Sequence, residues 1–405
     1  MTIDEQVKAL EYGTATIVPK NGLKEKLLLA SKEKRPLRIK LGCDPTAPDL
    51  HLGHAVVLKK MRQFQELGHT IILIVGDFTT KIGDPTGRNK ARPQLSDDEI
   101  KKNSATYLKQ FSKVVDVKKV EIRKNSEWFG KMSAADFIKI IARHTLARIL
   151  ERDDFTNRFK QGVPINMHEL VYPIVQGYDS VMVQADIEMG GTDQLFNCLV
   201  GRAAQETHGR RPQVVISMPL LRGLDGSDKM SKSAGNYVGL TEDANTMYAK
   251  IMSIPDELIE EYLDLASSFD QKECQELKKR IAKGENPMLV KKELACNITE
   301  HYHSTVLAKK AEEYFTTQVQ NRSLESKEFE ERFLESLKLP KKTIGLLDLC
   351  AALEKKRSKS MLRDLIREGA VSVNGEKLTN VHHIFSKLEI GMKIKIGKRG
   401  YYELV

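Results

Sequence analysis

The stretch Asp44-Pro45-Thr46-Ala47-Pro48-Asp49-Leu50-His51-Leu52-Gly53-His54 joins two segments of different pattern. Before it, residues 37–43 form a strand-like run, and after it residues 55–67 follow a helical pattern. The stretch therefore lies at the carboxyl end of a strand and the amino end of a helix. In an open parallel sheet, ligands bind at that position, and the free N–H groups of the helix start favour a phosphate.

Two histidines of this stretch are candidate phosphate donors. His51 and His54 are three residues apart, so they would share one face of the helix start and could both donate to a phosphoryl oxygen. Two other interpretations remain open: an ordinary helix cap with a surface histidine, and a metal site. We rank phosphate above metal, because no cysteine or glutamate stands at the spacing of a zinc-protease helix and catalytic zinc normally has a third protein ligand.

A second segment carries two lysines among small residues: Gly226-Ser227-Asp228-Lys229-Met230-Ser231-Lys232-Ser233-Ala234-Gly235-Asn236. We call it the lysine loop. Lysine supplies a compact, mobile charge for phosphate, and serine and glycine let the backbone approach a ligand. Taken alone, such a loop is usually a solvated surface turn. Together with the histidine pair, it predicts a loop that closes over a polyphosphate.

Composition limits the class of protein. The chain has 405 residues, of which 40% are hydrophobic and 30% charged, which is typical of a globular protein with two or three domains. No apolar run approaches the length of a membrane span and the amino terminus lacks the layout of a signal peptide, so we expect a cytoplasmic protein with no membrane partner. The five cysteines are scattered, which predicts neither a disulfide framework nor a structural zinc site.

The order of patterns along the chain predicts three domains. Short apolar runs alternate with helical patterns over residues 1–240, which predicts an α/β fold whose parallel strands are joined by helices. Within it, a mostly helical stretch of about residues 96–202 predicts an insertion whose first helix is capped by Ser96. Residues 241–338 are rich in helical patterns and charge, and a proline-containing linker precedes a third domain at 343–405.

Positive charge is concentrated in the third domain. The chain carries a net charge of +10. Residues 343–405 hold 12 Lys and Arg against 7 Asp and Glu, a net charge of +5. A basic helical segment at 355–369 precedes Asn374-Gly375, a strong hairpin-turn signal, and the alternating run 392–396. This layout predicts a small α+β domain that binds a polyanion.

The two motifs resemble the signatures of class I aminoacyl-tRNA synthetases, written here His51-Leu52-Gly53-His54 and Lys229-Met230-Ser231-Lys232-Ser233. The segments 42–46, 83–88, 172–179 and 190–194 are similar to those of bacterial tyrosyl-tRNA synthetases, and the tail is similar to the S4 RNA-binding domain. The resemblance implies a Rossmann-like catalytic domain with a helical insertion, an α-helical domain on the anticodon side, and an S4-like domain. It also implies activation of L-tyrosine with ATP and Mg²⁺, transfer to tRNA(Tyr), and a homodimer with no tightly bound protein metal.

The same resemblance assigns expected roles to residues. It implies that the catalytic groups are Thr46, His51, His54, Lys229, Lys232 and Ser233. It implies that ATP contacts Gly42, Asp44, His51, Gly53, His54, Asp193, Lys229, Met230 and Lys232. It implies that tyrosine contacts Asp84, Tyr172, Gln176, Asp179 and Gln194.

One helix face would hold the amino acid. Tyr172, Gln176 and Asp179 are spaced i, i+4, i+7, so they would line one face of a helix, although an ordinary amphipathic helix has the same spacing. From the resemblance, Asp179 accepts the phenol proton, and Asp84 grips the ammonium together with Tyr172 and Gln176. Phenylalanine would leave the buried Asp179 unpaired, and tyrosyl-tRNA synthetases are themselves a standard example of such discrimination.

Some positions depart from the commoner bacterial pattern and look like a second bacterial subgroup. Lys40 stands where a tyrosine is usual, Glu188 where a glutamine is usual, and Leu195-Phe196 replaces a Trp-Gly pair. Two other functions remain open: a tryptophanyl-tRNA synthetase, and an RNA-binding factor derived from a synthetase. Basic residues near the motifs are candidate contacts for the tRNA acceptor stem, although each alone is more typical of a solvated face: Arg88, Arg92 and Arg152.

Overall fold

A computed structural model of the chain describes residues 1–46, 48–86, 95–320, 329–337, 344–355, 357–397 and 400–405. The chain divides into two compact units, Met1–Glu312 and Glu313–Val405. Within the described residues, no helix is both long enough and apolar enough to span a bilayer.

The first unit is built on a six-stranded sheet of order β1-β6-β5-β2-β3-β4. Its strands are β1 Thr16–Val18, β2 Arg38–Cys43, β3 Thr70–Val75, β4 Val120–Lys124, β5 Ile187–Gly191 and β6 Val214–Met218. All neighbouring pairs are parallel except β1 with β6, which is antiparallel. The predicted α/β class with a parallel sheet is therefore confirmed.

Helices connect these strands and cover the sheet. The segment that follows β2 leads into α3, which begins at Leu52 with His51 as its N-cap. Ser96 caps α5 in a capping box with Glu99, as the sequence predicts. The helices up to β6 are α1 Ile3–Glu11, α2 Gly22–Glu33, α3 Leu52–Glu66, α4 Thr79–Ile82, α5 Asp97–Phe111, α6 Ser126–Phe129, α7 Ala134–Ile141, α8 Leu146–Leu150, α9 Asp153–Lys160, α10 Met167–Met182 and α11 Leu195–Thr207.

The helical stretch predicted at about 96–202 contains two strands of the sheet. β4 pairs with β3, and β5 pairs with β2. Only the residues between these strands form a helical segment, which runs from α6 to α10. β4 was not predicted from the sequence pattern. Its residues Val-Glu-Ile-Arg-Lys alternate apolar and charged side chains at the edge of the sheet, and five residues are too few to distinguish a strand from a helix.

The helices that follow the sheet mostly belong to the first unit, which extends to Glu312. Their bounds are α12 Ala244–Met252, α13 Ile259–Leu265, α14 Gln271–Ala282, α15 Pro287–Tyr302 and α16 Thr305–Tyr314, after which a π-helix spans Phe315–Gln320. Lysines of the sheet region contact this group. Lys113 Nζ donates to the carbonyl of Tyr302 at 3.1 Å, and Lys59 Nζ donates to that of Ala266 at 2.6 Å.

The second unit has its own sheets and core. A five-stranded sheet has the order β10-β9-β12-β13-β7, and β11 pairs with β8. The strands are β7 Glu330–Arg332, β8 Ile344–Gly345, β9 Val371–Val373, β10 Glu376–Lys377, β11 Ile384–Phe385, β12 Lys393–Ile396 and β13 Gly400–Leu404, with helices at Leu346–Leu353 and Lys359–Arg367. Asn374 and Gly375 both have positive φ, 47° and 88°, which confirms the predicted hairpin turn. The helices and β9, β12 and β13 enclose an apolar core.

Candidate active site

A cavity of about 840 Å³ opens at the carboxyl ends of β2, β3 and β5. This is the edge of a parallel sheet where ligands bind. The cavity brings together all the site residues named from the sequence: Gly42, Asp44, Thr46, His51, Gly53, His54, Asp84, Tyr172, Gln176, Asp179, Asp193, Gln194, Lys229, Met230, Lys232 and Ser233. We call it the substrate cavity.

The histidine pair sits at the start of α3, one wall of the cavity. The two rings lie 3.9 Å apart, and the backbone N–H of His51 donates to Nδ1 of His54 at 3.3 Å. Burial, together with the charge of Lys232, lowers the pKa of His51 to about 2 and that of His54 to about 4. Both rings are therefore neutral at physiological pH and can act as N–H donors, while positive charge comes from the lysines.

Gly53 lies between the two histidines and is required by close approach. A Cβ at this position would lie 3.0 Å from Nδ1 of His51. Glycine at this position therefore leaves room for the His51 ring beside the backbone of α3. Within the described residues, no group of three or more His, Cys, Asp or Glu is placed to hold a metal ion.

The lysine loop lies beside the histidine pair: a Cβ built on Gly53 would lie 3.7 Å from the Cβ of Met230. It is anchored by Met230, whose side chain is buried and whose backbone N–H donates to the carbonyl of Leu221 at 2.8 Å. On either side of this anchor, each lysine pairs with a carboxylate. Lys229 Nζ lies 2.7 Å from Asp193, and Lys232 Nζ lies 3.6 Å from Asp49. Burial lowers the pKa of Lys232, so an anionic ligand that neutralises its charge would bind favourably.

The inner end of the cavity is formed by Asp179 on α10. Trp128 Nε1 donates to Oδ1 of Asp179 at 3.0 Å, and Asn125 Nδ2 donates to Oδ2 at 3.4 Å. Burial raises the pKa of Asp179 to about 7, against the opposing effects of the Lys40 charge and these two hydrogen bonds. A buried carboxylate poised between its two charge states is suited to receive a hydroxyl group.

The other predicted tyrosine contacts form two hydrogen-bonded groups. Tyr172 donates to Oδ2 of Asp44 at 2.9 Å, which links α10 to the end of β2. Gln194 Nε2 donates to Oδ2 of Asp84 at 2.8 Å. The side chains of α10 at i, i+4 and i+7 therefore line the cavity, as the spacing predicts.

Arg152 occupies a different environment from the solvated one expected of it. It is 5% exposed, and its guanidinium donates to Thr86 at 2.5 Å and to Asn197 at 3.2 Å. It also lies 3.7 Å from Asp84 and 2.8 Å from Asp154. Arg152 therefore supports the Asp84 side of the cavity and is not available to an acceptor stem. The other two candidates, Arg88 and Arg92, lie outside the described residues.

Four further residues near the cavity were not assigned a role from the sequence. Trp128 on α6 and Asn125, the N-cap of that helix, donate hydrogen bonds to Asp179. Lys40 and Glu188 lie behind α10. The sequence offered two signals: Trp128 is the single tryptophan of the chain, and Lys40 and Glu188 depart from the commoner bacterial pattern. Lys40 and Glu188 are 148 residues apart in sequence, and Trp128 and Asp179 are 51 apart, separations that no local pattern reveals.

Comparison with known families covers both units. Residues 32–320 match the family described as tRNA synthetases class I (W and Y), and residues 344–387 match the S4 domain. The predicted class I and S4 resemblances are therefore confirmed, and the first match spans more than half of the chain.

Individual proteins narrow the family. The chain is 51% identical to tyrosine–tRNA ligase 2 of Photorhabdus laumondii over 98% of both chains, and 44% identical to tyrosine–tRNA ligase of Aquifex aeolicus over 100% of both. A crystal structure of tyrosyl-tRNA synthetase complexed with L-tyrosine from Archaeoglobus fulgidus has the same fold, with a TM-score of 0.62 at 22% identity, covering 77% of this chain and 100% of that one. From the motifs, the cavity and these full-length matches, the chain belongs to the bacterial tyrosyl-tRNA synthetases of class I.

Proposed function

We propose that this chain is a tyrosine–tRNA ligase, which forms tyrosyl-adenylate from L-tyrosine and ATP and then esterifies the terminal adenosine of tRNA(Tyr). The observation that carries the proposal is the polarity of the substrate cavity. One end holds the buried carboxylate of Asp179, which can accept a phenol hydroxyl, and the opposite wall holds Lys229, Lys232 and two neutral histidines. A molecule with a phenol at one end and a phosphate at the other fits this arrangement.

In this proposal, tyrosine lies along α10. Its phenol donates to Asp179, and its ammonium lies beside Asp84, Tyr172 and Gln176. Gln194 supports Asp84 from the other side. This orientation directs the tyrosine carboxylate toward the end of β2, where Gly42 and Asp44 line the cavity next to the histidine pair.

The first chemical step needs little covalent participation by the protein. The tyrosine carboxylate attacks the α-phosphorus of ATP, and the bond to pyrophosphate breaks. Positioned donors that stabilise the charge on the phosphate oxygens can supply most of the rate enhancement. Thr46, His51 and His54 act as such donors on one side, and Lys229, Lys232 and Ser233 act on the other. Mg²⁺ enters with ATP as part of the substrate, held mainly by phosphates and water.

The carboxylates paired with the lysines set the conditions for closure. Asp193 and Asp49 hold Lys229 and Lys232 at the rim of the cavity. A triphosphate carries more negative charge than either carboxylate, so it draws the two lysines inward. After pyrophosphate leaves, the lysines return to the carboxylates. The lysine loop thus acts as a lid whose movement accompanies each cycle.

We extend the proposal to assembly and to tRNA. Four apolar side chains on the helical segment between β4 and β5 are at least 60% exposed, which favours a homodimer through this surface and can be measured by sedimentation equilibrium: Ile138, Leu146, Phe159 and Met167. The basic S4 domain supplies contacts to tRNA phosphates. A cytoplasmic location remains a prediction from the sequence.

The test is ATP–pyrophosphate exchange measured with each of the twenty amino acids, followed by charging of tRNA(Tyr). We expect exchange with tyrosine and none above background with phenylalanine or tryptophan. Exchange with tryptophan alone would assign the chain to the other half of its class I family. Exchange with no amino acid would favour an RNA-binding factor without ligase activity.

A further inference from the structure

Lys40 and Glu188 form an ion pair inside the sheet of the first unit. They are register partners on the adjacent strands β2 and β5, and Nζ lies 2.8 Å from Oε1. Their side chains are 0% and 1% exposed. Neither residue lines the substrate cavity.

Fold stability does not account for such a pair. Removing two charges from water costs more than their attraction usually returns, and well-packed apolar residues at such positions often stabilise a protein. A buried ion pair therefore suggests that its charges or its hydrogen bonds have a role besides fold stability. The partners of this pair indicate the use.

Both charges act on one turn of α10. Lys40 Nζ donates to the carbonyl of Gln176 at 3.0 Å and to the hydroxyl of Ser180 at 2.8 Å. Glu188 accepts from the side-chain amide of Gln176 at 3.3 Å and from Ser180 at 2.9 Å, and Gln213 also donates to it. The pair thus holds both the backbone and the side chain of the turn that carries Asp179.

The charges that act on Asp179 come from the same two strands. Lys40 on β2 favours its ionised form, and Glu188 on β5 opposes it. From the opposite side, among the residues that the structure describes, the neutral donors Asn125 and Trp128 contact Asp179. Burial has the largest effect on the pKa of Asp179, and the cation and the carboxylate behind the helix shift it in opposite directions.

We propose that the Lys40–Glu188 ion pair is a positioning element for amino-acid selection, which orients Gln176 and sets the charge of Asp179 opposite the phenol hydroxyl. The inference rests on the proposed function and extends it to two residues that do not touch substrate. It predicts that removing the charge of Lys40 and removing that of Glu188 shift the pH dependence of KM for tyrosine in opposite directions. A purely structural role would not produce opposite shifts.

The experiment measures tyrosine-dependent pyrophosphate exchange between pH 5.5 and 9, giving KM for tyrosine and kcat, in Lys40→Met, Glu188→Gln and the double variant. Without the cation, Asp179 stays protonated to higher pH. In Lys40→Met the acid limb of the plot of 1/KM against pH therefore moves to higher pH, and KM at pH 7 rises by up to about tenfold per pH unit of displacement. Selectivity for tyrosine over phenylalanine falls in the same variant. In Glu188→Gln the acid limb moves to lower pH, and in the double variant it returns toward the wild-type pH.

Lys26→Met is the matched control. Lys26 is also a buried lysine, lies 3.7 Å from the buried Asp186 and is outside the substrate cavity. It should lower the thermal midpoint without moving the acid limb. If Lys40→Met does not fold, the downward shift in Glu188→Gln still decides the question. An acid limb unmoved in the folded variants, with wild-type exchange intact, overturns the inference; absence of wild-type exchange overturns the proposed function instead.

Discussion

Asp179 combines burial with hydrogen bonding in a way that suits one substrate group. It is fixed by Trp128 and Asn125, and burial leaves its pKa near 7. A hydroxyl that enters the pocket finds an oriented acceptor, whereas a ring without a hydroxyl leaves a desolvated carboxylate without its partner. If Asp179 reads the phenol as proposed, discrimination comes from the penalty on the wrong substrate as much as from attraction to the right one.

Replacing Asp179 tests this directly. We expect Asp179→Asn to lower kcat/KM for tyrosine and to narrow the ratio of tyrosine to phenylalanine by at least about tenfold, because a neutral amide is a weaker acceptor. The measurement is pyrophosphate exchange with each amino acid. Retained discrimination in a folded variant would mean that another residue reads the hydroxyl.

The pKa of Asp179 also predicts two pH effects of opposite sense. Because the phenol donates to the ionised form, KM for tyrosine should rise as the pH falls below about 7. Fold stability behaves differently, since burial raises this pKa above its usual value of 3.8. The contribution of Asp179 to the free energy of unfolding should fall as the pH rises from about 4 to 7 and stay constant above it. Exchange kinetics and urea unfolding of wild type and Asp179→Asn across this range separate the two effects.

Lys232 belongs to the other end of the cavity. We expect Lys232→Ala to reduce the rate of tyrosine-dependent exchange by about 10²- to 10³-fold, as is usual when one donor to a developing charge is removed. Tyrosine affinity, measured by equilibrium dialysis, should stay within about twofold of the wild-type value, because Lys232 lies where we propose that the phosphates of ATP bind, away from Asp179. Asp49→Asn is the comparison variant, since it frees the same lysine without removing it. An unchanged rate in Lys232→Ala would exclude this lysine from catalysis.

At the scale of elements, α3 is the organising helix of the first unit. It begins at the histidine pair and carries two adjacent lysines that each cap another helix. Lys60 Nζ donates to the carbonyl of Tyr12, the C-cap of α1, at 2.7 Å. Lys59 Nζ donates to the carbonyl of Ala266, the C-cap of α13. Charges at helix carboxyl ends interact favourably with the dipole, so α3 holds both neighbours in place.

Removing one of these caps should loosen one helix only. We expect Lys60→Met to lower the free energy of unfolding by about 1 kcal/mol through loss of the cap. Amide hydrogen exchange should accelerate in α1 and remain unchanged in α13, whereas Lys59→Met should show the reverse. Equal acceleration of both helices in either variant would contradict the assignment of one lysine to each helix.

How far the elements could be predicted depends on the range of the interactions that fix them. The strand before residue 44, the start of α3 and the Asn374-Gly375 turn follow from contiguous patterns and were predicted. β4 was not, because its alternating charged residues are stabilised by pairing with β3. The sequence also predicted that the motif residues would lie together in one site. It did not predict the contacts of Arg152 and Lys40, because their partners are distant in sequence.

At the scale of the whole molecule, the second unit has its own core and a high density of positive charge. It lies after Glu312, so α12 to α15 belong to the first unit, and the domain boundaries at 240 and 338 stay predictions from the sequence. Every described residue of the substrate cavity precedes residue 235. We therefore expect adenylate formation to be separable from the tRNA contacts proposed for the S4 domain.

A chain that ends at residue 320 tests this separation. We expect tyrosine-dependent exchange to remain within about threefold of the full chain, while kcat/KM for tRNA(Tyr) falls by at least about tenfold. The salt dependence of tRNA charging should also become shallower, since phosphate contacts are lost. Unchanged charging of tRNA by the shorter chain would show that the S4 domain does not contribute to tRNA binding.

The hydrogen bond between Trp128 and Asp179 gives this protein an optical signal of its own. Trp128 is the only tryptophan of the chain, its indole N–H donates to the carboxylate that we propose faces the phenol, and the guanidinium of Arg123 lies 5.5 Å from the centre of its ring. Indole emission responds to the charge and polarity around the ring. Intrinsic fluorescence excited at the red edge of the absorption band should therefore follow occupancy of this one pocket in unlabelled protein, with no competing signal from a second indole.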